Sequence, residues 1–470
     1  MISALETNDR QVALIATGTG QRFTYADLRG FVAKNRELLK RVPRPAVAFQ
    51  FCANSVGAVA SYLACLAEGL PLGLGEPGLE PRSRVIDAYR PTGLILPNGE
   101  PAPAEYESAG PLSGGELTLW WRTGGAYPVA PHRDLALLLA TSGSTGDAKL
   151  VRLSRANLEA NARSIAHYLQ IKPGEIALQS LPMNYSYGLS VINSHLIAGA
   201  TVALTGHSFM RPEFWRAFDE SACTSFAGVP YMYETLYRLR MNPAERPSLR
   251  TLTQAGGHLR VELVRHFHKL TAEKGSRFFV MYGQTEATAR ISYVPPERLD
   301  EKAGSIGLAI PGGELSLRAV EDDPSLTELC YRGPNVMLGY ATGPEDLAKG
   351  DELGGLLATG DTAERDTDGF YRLTGRLKRM AKLFGKRVNL ASIETEVEKL
   401  FPVHAAAVED KDGLRLFLEG VIDSHGGDIR AHLARLLAVP PLAIKVTMIE
   451  RLPLTSSGKK DYTKLSQGSK

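Results

Sequence analysis

Apolar runs of strand length alternate with helix-length segments along this chain, and that alternation constrains the fold more than any other feature. "AVAFQF" (46–51) reads as a buried strand and "SVGAVASYLACLAEG" as the helix after it. "RSRVIDAYRP" then reads as a helix and "TGLILPNG" as the next strand. Such strand–helix repetition predicts a largely parallel sheet covered by helices. At 470 residues the chain exceeds what a single small core holds, so more than one domain is expected.

The pattern pauses over residues 98–133, where Pro, Gly and Ala are dense; a surface loop is expected there, with "ELTLWW" as a possible strand. It resumes at "LALLLATS". "VRLSRANLEANARSIAHYLQ" has helical apolar spacing with a start signal at Ser154 or Asn157, "LVRHFHKLTAEKG" reads as a helix and "RFFVMYG" as a strand. From about 304 to 374 the character changes to short strands, "ELSLRAV", "ELCYRG" and "FYRLTG", with turns such as "DTDG" between them. Beyond "GRLKR" comes a small mixed segment: a helix at "LASIETEVEKLF", strands near "AAAVED" and "LRLFLEG", a helix near "IRAHLARLL", and a tail expected to be flexible.

Composition narrows the function classes. Hydrophobic content of 44%, charged content of 22% and a net charge of +3 are ordinary for a globular protein and give no reason to expect nucleic acid or a membrane surface as partner. Cys52, Cys65, Cys223 and Cys330 are scattered without a C-x-x-C pair, so buried thiols in a reducing cytoplasm are expected, not disulfides or a zinc site. The N-terminal "MISALETNDRQVALIA" lacks the apolar core of a signal peptide, and the most apolar helical stretch is interrupted by Glu68, so no membrane span is expected.

Chemistry-bearing residues gather in a few clusters. "LLLATSGSTGDAKLVRLS" (137–154) places Thr141, Ser142, Gly143, Ser144, Thr145, Gly146 and Lys149 directly after a strand. It is not a Walker loop, yet its glycines let backbone amides approach an anion, its hydroxyls add donors and Lys149 adds charge. "MYGQTEATA" (281–289) follows a strand and would deliver Tyr282, Gly283, Thr285 and Glu286 to a sheet's carboxyl end, where open α/β sheets bind ligands. Tyr can stack on a purine, Thr can donate to phosphate and Glu can hold Mg2+. "LATGDTAERD" carries Asp361, suited to ribose hydroxyls. "GRLKRMAKLFGKRVNLASIE" (375–394) is dense in cations, and "LPLTSSGKKDY" (452–462) carries Lys459 after a flexible Ser-Ser-Gly. Taken singly, each also reads as a turn, a basic hinge or a frayed tail.

Taken in order, these clusters resemble the adenylate-forming superfamily of acyl-CoA synthetases, aryl acid ligases, peptide synthetase adenylation domains and luciferases. Further matches at "RFTYADLRGF", "GSIGLAIPGGEL" and "ELCYRGPNVMLGY" extend the resemblance over nearly the whole chain. It implies an α/β fold: a large N-terminal domain (1–377) of helix-flanked sheets with a small β-barrel-like part, then a small mobile α+β domain (378–470). It also implies ATP and Mg2+, with acyl-AMP formed from a carboxylic acid and passed to CoA or to a phosphopantetheinyl carrier protein acting in trans. On this resemblance the 141–149 loop holds the β- and γ-phosphates, Gly256 and Gly257 of "QAGGHL" line the adenine site, and Tyr282 stacks on adenine. Thr285 contacts the α-phosphate, Glu286 binds the metal, and Asp361 holds the ribose with Arg376 assisting. Lys459 bridges carboxylate and α-phosphate, Lys378 is the hinge residue, and Lys382 serves the second half-reaction.

The same resemblance outlines the acyl pocket. "LPMNYSYGLSVINSHLIAGATV" (181–202) supplies Tyr185, Tyr187 and Gly188, and "SFAGVPYMYETLY" supplies Gly228 and Tyr231. Tyr185 stands where many relatives have His. Gly188 stands where amino-acid-activating domains carry Asp, which argues for a plain carboxylic acid. Arg290 falls at a pocket-side position and would prefer a polar or anionic tail, although a salt-bridged or solvent-facing Arg is the favoured reading. "KKDY" after the lysine position and a short small domain depart from the family pattern and leave the acceptor open. An amide-forming ligase passing acyl-AMP to an amine, and a non-catalytic ATP-binding protein, remain as alternatives; Lys459, Lys382, Glu286 and Asp361 together disfavour the last.

Overall fold

The computed structural model describes residues 9–124, 126–140, 149–321, 323–383, 386–401, 403–410, 413–420, 426–437, 439–455 and 460–467, with backbone alone at 80, 81, 325, 378, 380, 382, 383, 386, 387 and 467. By their contacts these residues divide into two compact units: Met1–Glu314 with Tyr331–Leu357, and Leu315–Cys330 with Ala358–Lys470.

The first unit is built on two large sheets. One has nine strands, in the order Leu308–Ala309, Ser292–Val294, Arg277–Tyr282, Thr251–Gln254, Ser225–Gly228, Ile176–Gln179, Thr201–Leu204, Val12–Ala16, Gln21–Thr24. Its centre is parallel and its edges antiparallel. The other has eight strands: Gly339–Ala341, Leu150–Ser154, Leu135–Ala140, Leu72–Gly75, Ala48–Phe51, Gly93–Pro97, Leu117–Arg122, Tyr106–Pro111. Here too parallel strands form the middle, as the alternation predicts. Central parallel strands are covered on both faces, which explains their unbroken apolar runs. The covering helix Val56–Glu68 is buried from Val56 to Leu66, capped by the Ser55 side chain and closed by Gly69 in the left-handed region.

Residues 98–133 hold more than the expected loop: the possible strand at "ELTLWW" is Leu117–Arg122, and a second strand lies beside it. Tyr106–Pro111 pairs with Leu117–Arg122, which in turn pairs antiparallel with Gly93–Pro97. The Gly and Pro that disguised this hairpin lie on the outermost strand, where a missing ladder donor is tolerated and the register shifts near Gly110. The helix expected after "VRLS" is Arg155–Leu169. Ser154 is its cap, and Asn157, three residues on, bonds back to the Ser154 amide, so both start signals serve one capping box.

Glu314–Val320, Asp323–Arg332, Leu356–Arg365 and Tyr371–Arg376, most of whose residues belong to the second unit, line up as a four-stranded sheet. Further on, His404–Asp410, Gly413–Glu419 and Ile444–Ile449 form a three-stranded sheet. Helices Leu390–Leu400 and Gly426–Leu437 pack on it through Ile393, Val397, Ile429 and Leu433. The strand Ile444–Ile449 and a short helix, Tyr462–Gln467, stand where a flexible tail is expected. All four cysteines are free and buried, as expected.

Candidate functional site

Strand ends position the first group of residues. Ile176–Gln179, Thr251–Gln254 and Arg277–Tyr282 run in the same direction in the nine-stranded sheet, so the segments leaving their carboxyl ends emerge on one side. These segments carry Tyr185, Gly256 and the Thr285–Ala287 turn. Tyr185 precedes the helix Ser186–Ile197, and the Ser186 hydroxyl lies 3.2 Å from that of Thr285. Gly256 has φ +89°, and a Cβ there would collide with the Tyr185 hydroxyl. The Tyr185 phenol therefore lies against bare backbone at Gly256. A Cβ on Gly257 would stand 3.2 Å from Pro230.

The second group comes from the other large sheet. Ala140 is register partner to Leu150, so the two ends of the Thr/Ser/Gly loop are fixed side by side. Thr141, Ser142, Gly143, Ser144, Thr145 and Gly146 themselves lie outside the described residues. Lys149 is described: its Nζ stands 3.4 Å from the centroid of the Tyr340 ring. Tyr340 pairs across the ladder with Val151 and donates its hydroxyl to Glu286 Oε1 at 2.8 Å. One phenol thus has the loop's cation on its face and the proposed metal carboxylate at its tip. Burial and the adjoining Glu286 push the Tyr340 phenol upward, so it stays a donor. Nothing in the composition singles out Tyr340. The segment "ELCYRGPNVMLGY" is its only sequence signal.

The Thr285–Ala287 turn is held from behind. Asn335 Nδ2 donates to the Ala287 carbonyl at 2.8 Å, the Met337 amide to the Glu286 carbonyl at 2.9 Å, and the Thr288 hydroxyl to the Asn335 carbonyl at 2.7 Å. A Cβ on Gly283 would collide with the Ala289 carbonyl, so only glycine fits the approach to this turn. Tyr282 is half-buried and accepts from Gln284 Nε2 at 3.1 Å.

The proposed acyl-pocket residues divide. Tyr185 and Tyr187 meet edge to face at 6.2 Å. The Tyr187 hydroxyl reaches the Thr253 hydroxyl at 2.9 Å and its carbonyl at 3.0 Å, and burial raises its pKa. Gly188 sits inside the helix where a Cβ would strike the Pro182 carbonyl, and a Cβ on Gly228 would lie 2.8 Å from the Tyr233 ring. Tyr231 packs instead against Phe209, 6.0 Å between centroids, and Met210. Arg290 is not solvent-facing and, among the described residues, has no salt-bridge partner, contrary to the favoured reading. It is 2% exposed, and its guanidinium lies 4.3 Å over the Tyr187 ring. Ser190, Tyr168, Thr253 and Ser186 are contacts that sequence reading did not find, because ordinary helix and strand residues carry no motif.

In the second unit, Asp361 and Arg376 are register partners on adjacent antiparallel strands. Arg376 Nε donates to Asp361 Oδ1 at 2.6 Å, and Asp361 is 1% exposed. Lys378 lies in the turn Leu377–Arg379 and Lys382 in the strand Met380–Leu383, with their side chains outside the described residues. Lys459 lies outside them altogether. Its successor Lys460 is anchored to Glu398 at 2.9 Å and to the Ala405 carbonyl at 2.6 Å.

Among the described residues no group of three or more His, Cys, Asp or Glu could hold a metal. A lone carboxylate at Glu286 suits Mg2+ that arrives with phosphate ligands, since this ion takes one or two protein carboxylates and completes its shell with phosphates and water. Among the described residues no helix is long and apolar enough to cross a membrane.

Known proteins share this arrangement of elements. The sequence is 29% identical to an oxalate–CoA ligase of Arabidopsis thaliana, over 69% of this chain and 66% of that protein. It is 30% identical to a feruloyl-CoA synthase of an Amycolatopsis species, over 69% and 68%, so these matches span about two thirds of each relative. An indoleacetate–CoA ligase of Aromatoleum aromaticum is 29% identical over 96% of this chain and 95% of its own. Among solved structures, the o-succinylbenzoate CoA synthetase of Bacillus subtilis in complex with its acyl-adenylate superposes with a TM-score of 0.78 at 22% identity, covering 99% and 97% of the two chains. The sequence model of the AMP-binding enzyme family matches residues 3–341, and this chain belongs to that family.

Proposed function

We propose that this protein is an acid–thiol ligase. It joins a carboxylic acid to AMP from ATP, releasing pyrophosphate, and then passes the acyl group to the thiol of CoA or of a carrier protein in trans. The observation that carries the reading is the Lys149–Tyr340–Glu286 arrangement beside Thr285. A cation from the loop, a carboxylate and a hydroxyl are held on rigid strand ends, the placement that phosphoryl chemistry requires. Relatives named as CoA ligases for oxalate, ferulate and indoleacetate support a thiol acceptor and differ in the acid.

Each residue has a derivable task. The loop of Thr141, Ser142, Gly143, Ser144, Thr145 and Gly146 binds the polyphosphate through backbone amides and hydroxyls, with Lys149 adding charge. Gly256 and Gly257 are assigned to line the adenine site, Tyr282 to stack on the adenine face, and Asp361 to accept from ribose hydroxyls while Arg376 orients it. Glu286 holds Mg2+, which offsets negative charge on the phosphates. Thr285 donates to the α-phosphate. Tyr185 borders the reacting carboxylate. Two anions must meet, so Lys459 is assigned to neutralise the carboxylate and α-phosphate together. Lys459 must give way to the thiol in the second step, which is why we place a hinge at Lys378, between a domain of 1–377 and one of 378–470. Lys382 serves the second step.

Pyrophosphate exchange with a panel of acids tests the first half, and thioester formation from supplied acyl-AMP tests the second. Lys459→Ala is expected to lose exchange by about 100- to 1,000-fold and keep thioester formation; Lys382→Ala is expected to do the reverse. Loss of the same half-reaction in both variants would refute the two-face assignment. An amine accepted in place of the thiol would redirect the proposal to amide formation.

A further inference from the structure

Among the described residues, Arg152 and Arg290 are the two largest fully buried side chains, and they are treated differently. Arg152 pairs with Glu352 and donates to the Tyr340, Lys349 and Gly350 carbonyls. Arg290 reaches only neutral groups: the Ser190 hydroxyl at 3.1 Å, the Tyr168 hydroxyl at 3.2 Å and the Met281 sulfur. Its Nε has no partner, and among the described residues no carboxylate pairs with it. Burying a guanidinium without a counter-ion is costly, and an incoming anion would relieve that cost.

Its position suggests where that anion would bind. Arg290 lines a cavity of about 20 Å³ between the helix Ser186–Ile197 and the nine-stranded sheet, whose wall is half apolar, including Leu178, Val191 and Phe226, and half polar, including Ser194, His195 and Thr253. That space admits one or two water-sized groups, about the size of a carboxylate. Glu175 also lines it, but the charges acting on Glu175 are Arg250, Arg277 and Lys172, and it makes no ion pair with Arg290. Burial holds the His195 pKa at about 4, so no competing cation faces the space near neutrality. Along the helix, Ser186 touches Thr285, and Ser190, one turn deeper, touches Arg290.

We propose that Arg290 binds a second carboxylate on the acid, so that the substrate is a dicarboxylic acid. A neutral polar tail would leave the guanidinium uncompensated; an anion meets it in the bidentate geometry that Arg favours. The inference rests on the acid-activating reading above.

The test compares pyrophosphate exchange on matched pairs, glutarate with its monoamide, adipate with hexanoate, and isophthalate with benzoate. The expected result is a diacid kcat/KM above that of its partner by about 10- to 100-fold, with Arg290→Gln collapsing the ratio and Arg290→Lys restoring part of it. Wild-type exchange that favours the monoacids overturns this inference alone, even if the variants fail to fold. An unchanged ratio in folded Arg290→Gln overturns it as well. Exchange with no acid of either kind overturns the ligase reading together with it.

Discussion

Tyr340→Phe isolates one bond of the proposed site. The ring that carries Lys149 at 3.4 Å remains, as do the main-chain pairs of Gly339–Ala341 with Leu150–Ser154; only the hydroxyl bonded to Glu286 at 2.8 Å is removed. A hydrogen bond to a charged acceptor contributes about 1.5–3 kcal/mol. Both residues are only half-buried, which favours the low end, about tenfold in an equilibrium. If Glu286 binds Mg2+ in the geometry that Tyr340 sets, the Mg2+ concentration giving half-maximal pyrophosphate exchange rises about tenfold. The urea unfolding midpoint should change little, because no apolar surface or backbone bond is lost. Titrating exchange against Mg2+ at saturating ATP and acid reads the first quantity, and fluorescence-monitored unfolding the second. An unchanged Mg2+ dependence would refute the argument, since the phenol would then be only a structural link. A loss of exchange accompanied by an equal loss of stability would refute it too.

Other outcomes follow from the same geometry. Gly283→Ala places a methyl group against the Ala289 carbonyl; the expected destabilisation is about 1–3 kcal/mol, with a still larger loss of exchange because Thr285 and Glu286 follow directly, and an active, equally stable variant would show that the turn yields easily. His195, held at about 4 by burial against an ordinary 6.5, takes up its proton more readily when unfolded. Unfolding therefore binds protons between those values, and stability falls as pH drops through 6.5 towards 4. From pH 7 to 5 the share of His195 is about 2 kcal/mol, so His195→Gln should flatten the dependence of the urea midpoint on pH. Parallel curves for variant and parent would contradict that assignment.

Much of the first unit was legible because burial on both faces writes a strand as an unbroken apolar run, as in Leu135–Ala140 and Arg277–Tyr282. The helix starts at Ser55 and Ser154 were legible because a capping hydroxyl is a local signal. Edge elements were not: Tyr106–Pro111 carries Gly110 and Pro111, residues that signal a turn wherever they occur, and its strand character comes from Leu117–Arg122 beside it. Glu286 and Lys149 were named as candidates by motif. Tyr340, which joins them, was found only by its coordinates, because the pairing depends on a ladder between Gly339–Ala341 and Leu150–Ser154. Arg290 was misjudged for a related reason. Charge in a sequence is normally read as surface, and only three-dimensional packing shows that Tyr168, Tyr187 and Ser190 enclose it.

The backbone behind Glu286 argues that this position is held under tension. Thr288, immediately after the Thr285–Ala287 turn, has φ 66° and ψ −57°, a region that a β-branched residue enters at a cost of about 1–3 kcal/mol. Such a conformation persists only where its surroundings over-determine it. Here they do: the Thr288 hydroxyl bonds the Asn335 carbonyl, Asn335 Nδ2 bonds the Ala287 and Arg290 carbonyls, and the Met337 amide bonds the Glu286 carbonyl. Tyr331 adds its hydroxyl to Asn335 Oδ1 at 2.7 Å, which closes the set. The segment from Tyr331 to Tyr340 therefore does two things at once. Its backbone and Asn335 force the turn that aims Glu286, and its last residue bonds the carboxylate so aimed. A site whose carboxylate is fixed from both ends reorganises little when charge arrives, which is the property an enzyme acting on phosphates needs most.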